Sequence, residues 1–404
     1  MKCKQMKLTT VHLCDLLYSS LFLWCIVYSM FMYSCISSIF GIPEGLIIRM
    51  IKVYCISAIV FKVMREGLVY RRKQAFALIF ISVLVGGICF LSKTDDILWT
   101  WLFILGSRNT SRKKVVETVM WAHLISFVVV VGMCVFGKID NRTFNATTDI
   151  TRIRHSYGFT HPNLMGITIL IVCICLLYLH FDKFKVKDYL VFAVAEYILY
   201  TVCYSRTSAA LLIIMLVLTW FSKLIIAGRI KYILNPILWG TICVSVTASI
   251  YCAICYNPRN VFMFLLDTIF SKRLSFANNY LNEYGFSILG QEIEQISSLE
   301  ASALGVTAKI LDNAYMHIFI NYGLIIGIIL FFGYTKLVAR SIRTNDYKTI
   351  ICICIFFIWG VSEKYLYMPS YNFTLIFLGG ILFDEFKDIT EGERLRYEHE
   401  RQLC

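Results

Sequence analysis

The sequence predicts an all-α, polytopic integral membrane protein with about twelve transmembrane helices and two large extracytoplasmic loops, built as a single integral membrane domain over residues 1–404. Three observations predict it. Hydrophobic residues make up 58% of the chain and charged residues only 16%, with a mean hydropathy of +0.68; soluble globular chains have roughly 45–50% apolar and about 25% charged residues. Apolar runs recur from end to end, many near the roughly 20 residues that a membrane-spanning helix needs. Short basic clusters separate those runs, as the positive-inside rule expects. Together these exclude a disordered chain, a secreted disulfide scaffold and an ordinary soluble enzyme.

Taken in order, the predicted spans are 16–36, 44–64, 75–92, 96–106, 115–136, 164–180, 188–204, 208–226, 233–256, 314–335, 349–363 and 366–383. The second carries Arg49, Lys52 and Lys62, and the fourth is short. Twelve is even, so both termini fall on one side. With that side cytoplasmic, the inner segments 1–15, 65–74, 107–114, 181–187, 223–231, 336–348 and 384–404 hold 25 of the 39 Lys and Arg residues. Every inner segment is basic, so charge supports both the helix count and a multi-pass location in the cell membrane with cytoplasmic termini. No small-residue cleavage site follows the first span, which reads as a retained helix. The tail 384–404 mixes acidic and basic residues and reads as a solvated cytoplasmic end.

Two outer connections are long, 137–163 and 257–313, and long loops are usually functional. Within the second, Val261 to Phe270 and Glu292 to Leu304 carry helix-like apolar spacing. The 16 cysteines lie mostly in apolar runs, where cysteine packs as a small hydrophobe. Cys252 and Cys255 form a CxxC without a second pair, so no metal site is expected. The net charge of +13 is spread between spans and accompanies no nucleic-acid motif, so no nucleic-acid partner is expected. Asn141 and Asn145 head glycosylation-type triplets, a pattern common by chance.

Four polar clusters sit at outward helix ends. Arg152 to Gly166 contains Arg154, His161, Pro162 and Asn163; Pro162 suits a first helical turn, with Thr160 or His161 just ahead of it. Tyr204-Ser205-Arg206-Thr207-Ser208 makes a tight connection on the side where positive charge is disfavoured. Ser271-Lys272-Arg273-Leu274 is followed by Gly285 and Gly290. Asp312-Asn313-Ala314-Tyr315-Met316-His317 opens span ten. Each residue also has an ordinary structural reading. A lone interface arginine anchors to headgroups, Asp312 caps span ten, and His317, five residues on, lies off the Asp312 face. Glu363 next to Lys364 reads as an interface ion pair. Against that, converging guanidinium forks suit phosphate oxygens. Phosphate-loop, dinucleotide and HExxH motifs are absent, and the outward acidic pair Asp95-Asp96 has no obvious co-ligands, which favours metal-independent chemistry without a cofactor.

In this order and spacing, the clusters resemble the O-antigen polymerase and ligase superfamily, polytopic enzymes acting on undecaprenyl-diphosphate-linked glycans. Arg154 with Gly158, Pro162-Asn163 and Gly166 looks like the family's first outer element. Ser205-Arg206-Thr207-Ser208 looks like the second, Arg273 with Gly290 like the large-loop element, and Asp312-Asn313-Ala314-Tyr315 with Gly323-Leu324 like the last. Ligases carry a histidine where this chain has Asp312, a departure that favours a polymerase of a capsule or exopolysaccharide and leaves the general base open.

The resemblance implies a glycosyltransferase that joins lipid-linked oligosaccharide repeat units into a surface polysaccharide at the outer face of the membrane. Its implied partners are undecaprenyl-diphosphate-linked oligosaccharide and membrane lipids, with a flippase and a chain-length regulator. Arg206 and Arg273 are then expected at the diphosphate, with Arg154 in support. Asp312 is the first expected base, with His161 or His317 second. His161, Asn163, Asn313 and His317 are expected to contact diphosphate or glycan. A ligase using another acceptor and a flippase of the same lipid are the alternatives.

Overall fold

The computed structural model describes residues 2–39, 44–66, 72–145, 153–226, 231–296, 301 and 304–383. Arg152, Ala146 and Thr147 of the Asn145 triplet, and the tail 384–404 lie outside the described residues. The chain is largely α-helical. Seven of the twelve predicted spans correspond to helices long and apolar enough to cross a membrane among the described residues: His12–Met32, Arg72–Ser92, Arg112–Val135, Pro162–Lys183, Arg206–Leu224, Asn235–Cys255 and Leu324–Arg343.

In chain order the helices are α1 (Lys2–Ile26), α2 (Glu44–Arg65), α3 (Arg72–Ser92), α4 (Asp96–Gly106), α5 (Arg112–Val135), α6 (Pro162–His180), α7 (Asp188–Tyr197), α8 (Arg206–Ile226), α9 (Lys231–Cys255), α10 (Val261–Ile269), α11 (Arg273–Tyr284), α12 (Ala314–His317), α13 (Leu324–Arg343), α14 (Tyr347–Gly360) and α15 (Leu378–Leu382). Wider π-type turns prolong α1 to Met32, α7 to Val202 and α12 to Tyr322. A short antiparallel pair, β1 (Thr143–Asn145) and β2 (Ile153–His155), lies between α5 and α6.

The centre of the bundle is α14. It is apolar all round, nearly every residue is buried, and it packs against α6, α8, α9 and α13; a helix without a polar face belongs in an interior. The outermost helices show the reverse. On α3, Phe76, Ile79, Val83 and Phe90 are exposed, a contiguous apolar outer surface that water does not tolerate.

Two of the three charges in the second predicted span are satisfied by partners. Lys52 meets Asp95 at 2.5 Å, and the wholly buried Lys62 meets Glu66 at 2.6 Å and the Arg108 carbonyl at 2.8 Å. The acidic pair that lacked partners in the sequence finds them here as well. Asp95 also accepts from Trp99 Nε1, and Asp96 accepts from the hydroxyls of Tyr28 and Tyr322.

Three expectations about the elements fail. The span 314–335 is not continuous: the chain turns sharply at Gly323, φ +99°, between α12 and α13. The loop segment 286–291 fills the break. Ser287 and Gln291 donate their amides to the Phe319 and Asn321 carbonyls, while Leu324 and Ile325 donate to the Ser287 and Ile288 carbonyls. The loop therefore pairs the backbone groups that the interruption exposes, as buried amides and carbonyls require. The second failure is 366–383, which forms short turns and α15 instead of one helix. Asn372 holds it, donating to the Leu366 carbonyl and the Tyr334 hydroxyl. The third, the helix expected over Glu292 to Leu304, fails over its first part: Glu292 to Gln295 is irregular and Ile296 bridges to Lys309 in antiparallel fashion, while Ala301 and Leu304 are helical and 297–300, 302 and 303 lie outside the described residues.

Candidate functional site

A cavity of about 470 Å³ lies where the segments 137–163 and 257–313 meet the ends of α6, α12 and α14. Its wall includes His161 and Asn163, Arg273, Lys309 and Asp312, and Glu363 with Lys364. These come from four separated stretches of chain.

The first stretch is the start of α6. His161 is its N-cap, in extended conformation ahead of Pro162, and its Nδ1 accepts from the Asn163 amide at 3.2 Å. That is the arrangement expected from Pro162. Burial, helped by the Arg154 and Arg273 guanidiniums, pushes the imidazole down to about 4, so at neutral pH it is uncharged. Asn163 Oδ1 accepts from Arg154 Nη2 at 2.5 Å, placing Arg154 behind Asn163 and outside the cavity wall. Arg206, the exposed first residue of α8, also lies off the wall. Its charge, after burial, holds the Arg154 guanidinium below its usual value, which makes the two arginines electrostatic neighbours.

The second stretch is the corner between α10 and α11. Ser271 and Lys272 both have positive φ, 55° and 65°, a conformation that costs ~1–3 kcal/mol per residue and persists only when its surroundings hold it. The buried Asp267 supplies that hold, its Oδ1 accepting from the amides of Leu274 and Ser275 and its Oδ2 from the Tyr256 hydroxyl. The corner aims Arg273 across to the end of α14. There its guanidinium donates to Glu363 Oε1 at 2.6 Å and to the Ser362 carbonyl, and lies 3.6 Å from Asp312 Oδ2.

The third stretch opens α12. The N-cap is Asn313, not Asp312: its Oδ1 accepts from the Tyr315 and Met316 amides, and its Nδ2 donates to the Val361 carbonyl. Asn313 thereby takes the capping role expected of Asp312 and leaves that carboxylate facing Arg273. His317 is buried beneath, stacked on Tyr367 with ring centroids 5.2 Å apart, with Gln295 on its Nε2 at 2.8 Å.

The fourth stretch follows α14. The sequence paired Glu363 with Lys364, but the structure pairs it with Arg273, 90 positions away. Burial raises the Glu363 carboxyl to about 7, more than the Arg273 charge beside it lowers it; the Asp312 charge adds to the rise. For Arg273, burial alone would lower the guanidinium, and the Glu363 and Asp312 carboxylates outweigh it. The result is a guanidinium flanked by two carboxylates on a cavity wall that also carries Lys364 and Lys309. Lys309 is itself held by Glu283 at 3.0 Å and Glu294 at 2.7 Å. Tyr33 and Tyr365 add aromatic surface.

Thus His161, Asn163, Arg273 and Asp312 converge, Arg154, Asn313 and His317 support them from behind, and Arg206 stands apart. Glu363, Lys364 and Lys309 are charged cavity residues to which the sequence had given no chemical role. Among the described residues no group of His, Cys, Asp and Glu is placed to hold a metal ion. Compared with protein-family models, curated proteins and solved structures, the chain matches none.

Proposed function

We propose that the chain is a polymerase that joins undecaprenyl-diphosphate-linked oligosaccharide repeat units into a surface polysaccharide, acting from the outer face of a membrane that it crosses many times with both termini in the cytoplasm. The observation that carries this reading is the meeting of His161, Asn163, Arg273 and Asp312 on one cavity. A charged, roomy site of this kind at the end of an apolar bundle suits a substrate with a sugar head and a lipid tail.

In the reaction, the acceptor hydroxyl oxygen attacks the donor's anomeric carbon. The bond to the diphosphate breaks with its electron pair on the leaving oxygen, and the hydroxyl proton passes to a carboxylate. A general base must lie within hydrogen-bond reach of that hydroxyl. Asp312 and Glu363 both flank Arg273 on the cavity wall, so the base is drawn from this pair rather than from Asp312 alone. Cations on the wall, Lys364 among them, stabilise charge growing on the leaving diphosphate. Arg154 acts on the cavity from behind, through Asn163.

A second reading, a carrier of the same lipid-linked unit, is favoured by one observation. The break at Gly323 resembles the discontinuous helices from which carriers build their sites. One assay separates the two. Purified protein in liposomes is given lipid-linked repeat units without added nucleotide. Lengthened glycan on the lipid supports the polymerase, and movement across the bilayer without lengthening supports the carrier.

A further inference from the structure

A second cavity, about 270 Å³, runs between α3, α4, α13 and the C-terminal segment. Its wall is almost wholly aliphatic and aromatic, with Ile81, Ile104, Leu330 and Trp101 among its residues. The charged residue of its wall is Lys336, about one helical turn beyond Gly333, which packs against Leu378; Leu382 lies about one turn beyond Leu378. The Lys336 ammonium is exposed and 4.3 Å from the centroid of the Phe332 ring. The start of α3 reaches the same end: Gln74 donates to the Leu382 carbonyl at 3.3 Å, and Ala77 lines the cavity. Lys73, exposed, precedes Ala77 by four residues and so shares its helix face. At the opposite end, near Ile97, the neighbouring Asp96 is turned to the hydroxyls of Tyr28 and Tyr322.

A hydrocarbon chain gains little by leaving lipid for an apolar groove, because lipid is equally apolar. Tail contacts alone therefore select nothing. Selection comes from cations at the headgroup level, which attract anionic lipid. Lys73 and Lys336 are both at one end of this groove, and both belong to segments that the charge rule assigns to the cytoplasmic side. We propose that the groove is a binding site for one acyl chain of an anionic phospholipid of the cytoplasmic leaflet, with its phosphate between Lys336 and Lys73. This is independent of the glycan-transfer reading.

The test is native mass spectrometry of the full-length protein released from nanodiscs of mixed phosphatidylglycerol and phosphatidylcholine. The wild type is expected to retain one phosphatidylglycerol in preference to phosphatidylcholine. Lys336→Ala should cut that preference about fivefold, the equivalent of ~1 kcal/mol for one cation near an anionic surface. Gly333→Phe fills the groove without changing charge, since even a Cβ there meets Leu378 at 3.3 Å, and should abolish retention. If it does not fold, Ile81→Trp from the opposite wall carries the same expectation. Equal retention of the two lipids by the wild type overturns the proposal. So does a preference unchanged in Lys336→Ala and the folded groove variant, or displacement of phosphatidylglycerol by polyprenyl phosphate at equal concentration.

Discussion

Replacing Arg273 by alanine removes the group on which the cavity closes. Two charge-assisted hydrogen bonds go with it, to Glu363 at 2.6 Å and to the Ser362 carbonyl, each worth ~1.5–3 kcal/mol. The contact to Asp312 adds little, because at 3.6 Å and with Asp312 31% exposed it resembles a surface pair worth ~0–1 kcal/mol. Removing one partner of a buried pair typically destabilises by ~3–5 kcal/mol, and that is the expected loss at pH 8. The loss depends on pH in a defined direction. Glu363 already titrates near 7 because of burial, and without the arginine its carboxyl moves higher still. Above pH 7 the folded variant then keeps a proton that the unfolded chain has released. Its stability falls by ~1.4 kcal/mol per pH unit up to its new pKa. Wild-type Glu363 is half protonated near pH 7 and nearly fully ionised by pH 8, so its own slope fades over that range while the variant's persists. Thermal unfolding in detergent from pH 6.5 to 8.5 should therefore show the two proteins diverging as pH rises. Adding Glu363→Gln to Arg273→Ala should recover much of the loss, since the orphaned carboxylate is then gone. A single variant within about 0.5 kcal/mol of wild type at pH 8, the size of an ordinary surface substitution, refutes the account.

Three further outcomes are expected. Polymer formation should rise with pH through about 7 as Glu363 gives up its proton. Initial rates of Glu363→Gln and Asp312→Asn across pH 5.5–8.5 show which carboxylate owns that limb, since losing a general base costs ~10²–10⁴-fold. Gly323→Ala should unfold at lower temperature, because it sets a Cβ 2.5 Å from the Ile288 carbonyl oxygen at φ +99°; the strained backbone alone costs ~1–3 kcal/mol, and an unchanged melting curve contradicts the splice. Asn163→Ala deprives Arg154 of its acceptor at 2.5 Å and should cost ~1.5–3 kcal/mol, with Asn163→Asp retaining most of it in the same melt.

The parts of this molecule that the sequence made legible are those decided locally. Pro162 announced the start of α6 and the cap before it. Helix-like spacing marked Val261 to Phe270, which forms α10 over Val261–Ile269. The charged residues Lys52 and Lys62 marked α2 as unlike its neighbours. What was missed depends on distance along the chain. Glu363 acquires its role from Arg273, 90 positions earlier, and no local pattern distinguishes it from an interface glutamate. Asp312 looked like a cap because it precedes an apolar run, yet Asn313 is one residue better placed for the amides of Tyr315 and Met316. The break at Gly323 was masked by continuous hydropathy, although Asn321-Tyr322-Gly323 inside a span was a local sign of interruption. The C-terminal stretch was read as a helix because it is apolar; Pro369, Ser370 and Asn372 were the sign that it turns.

The stitch between the segment 286–291 and the split helix is mostly main chain to main chain. It asks for a glycine at 323 and at 290, where a Cβ would meet the Asn321 carbonyl oxygen at 2.9 Å, and for the Ser287 hydroxyl, which donates to the Ile320 carbonyl and accepts from the Gly290 amide. A chain could therefore exchange the other residues from 286 to 291 through mutation and keep the loop in the same place. Divergence in this segment is cheap while its position is fixed. Two such proteins could share the architecture around the cavity while sharing only a pair of glycines and one serine in the part of the chain that holds it together.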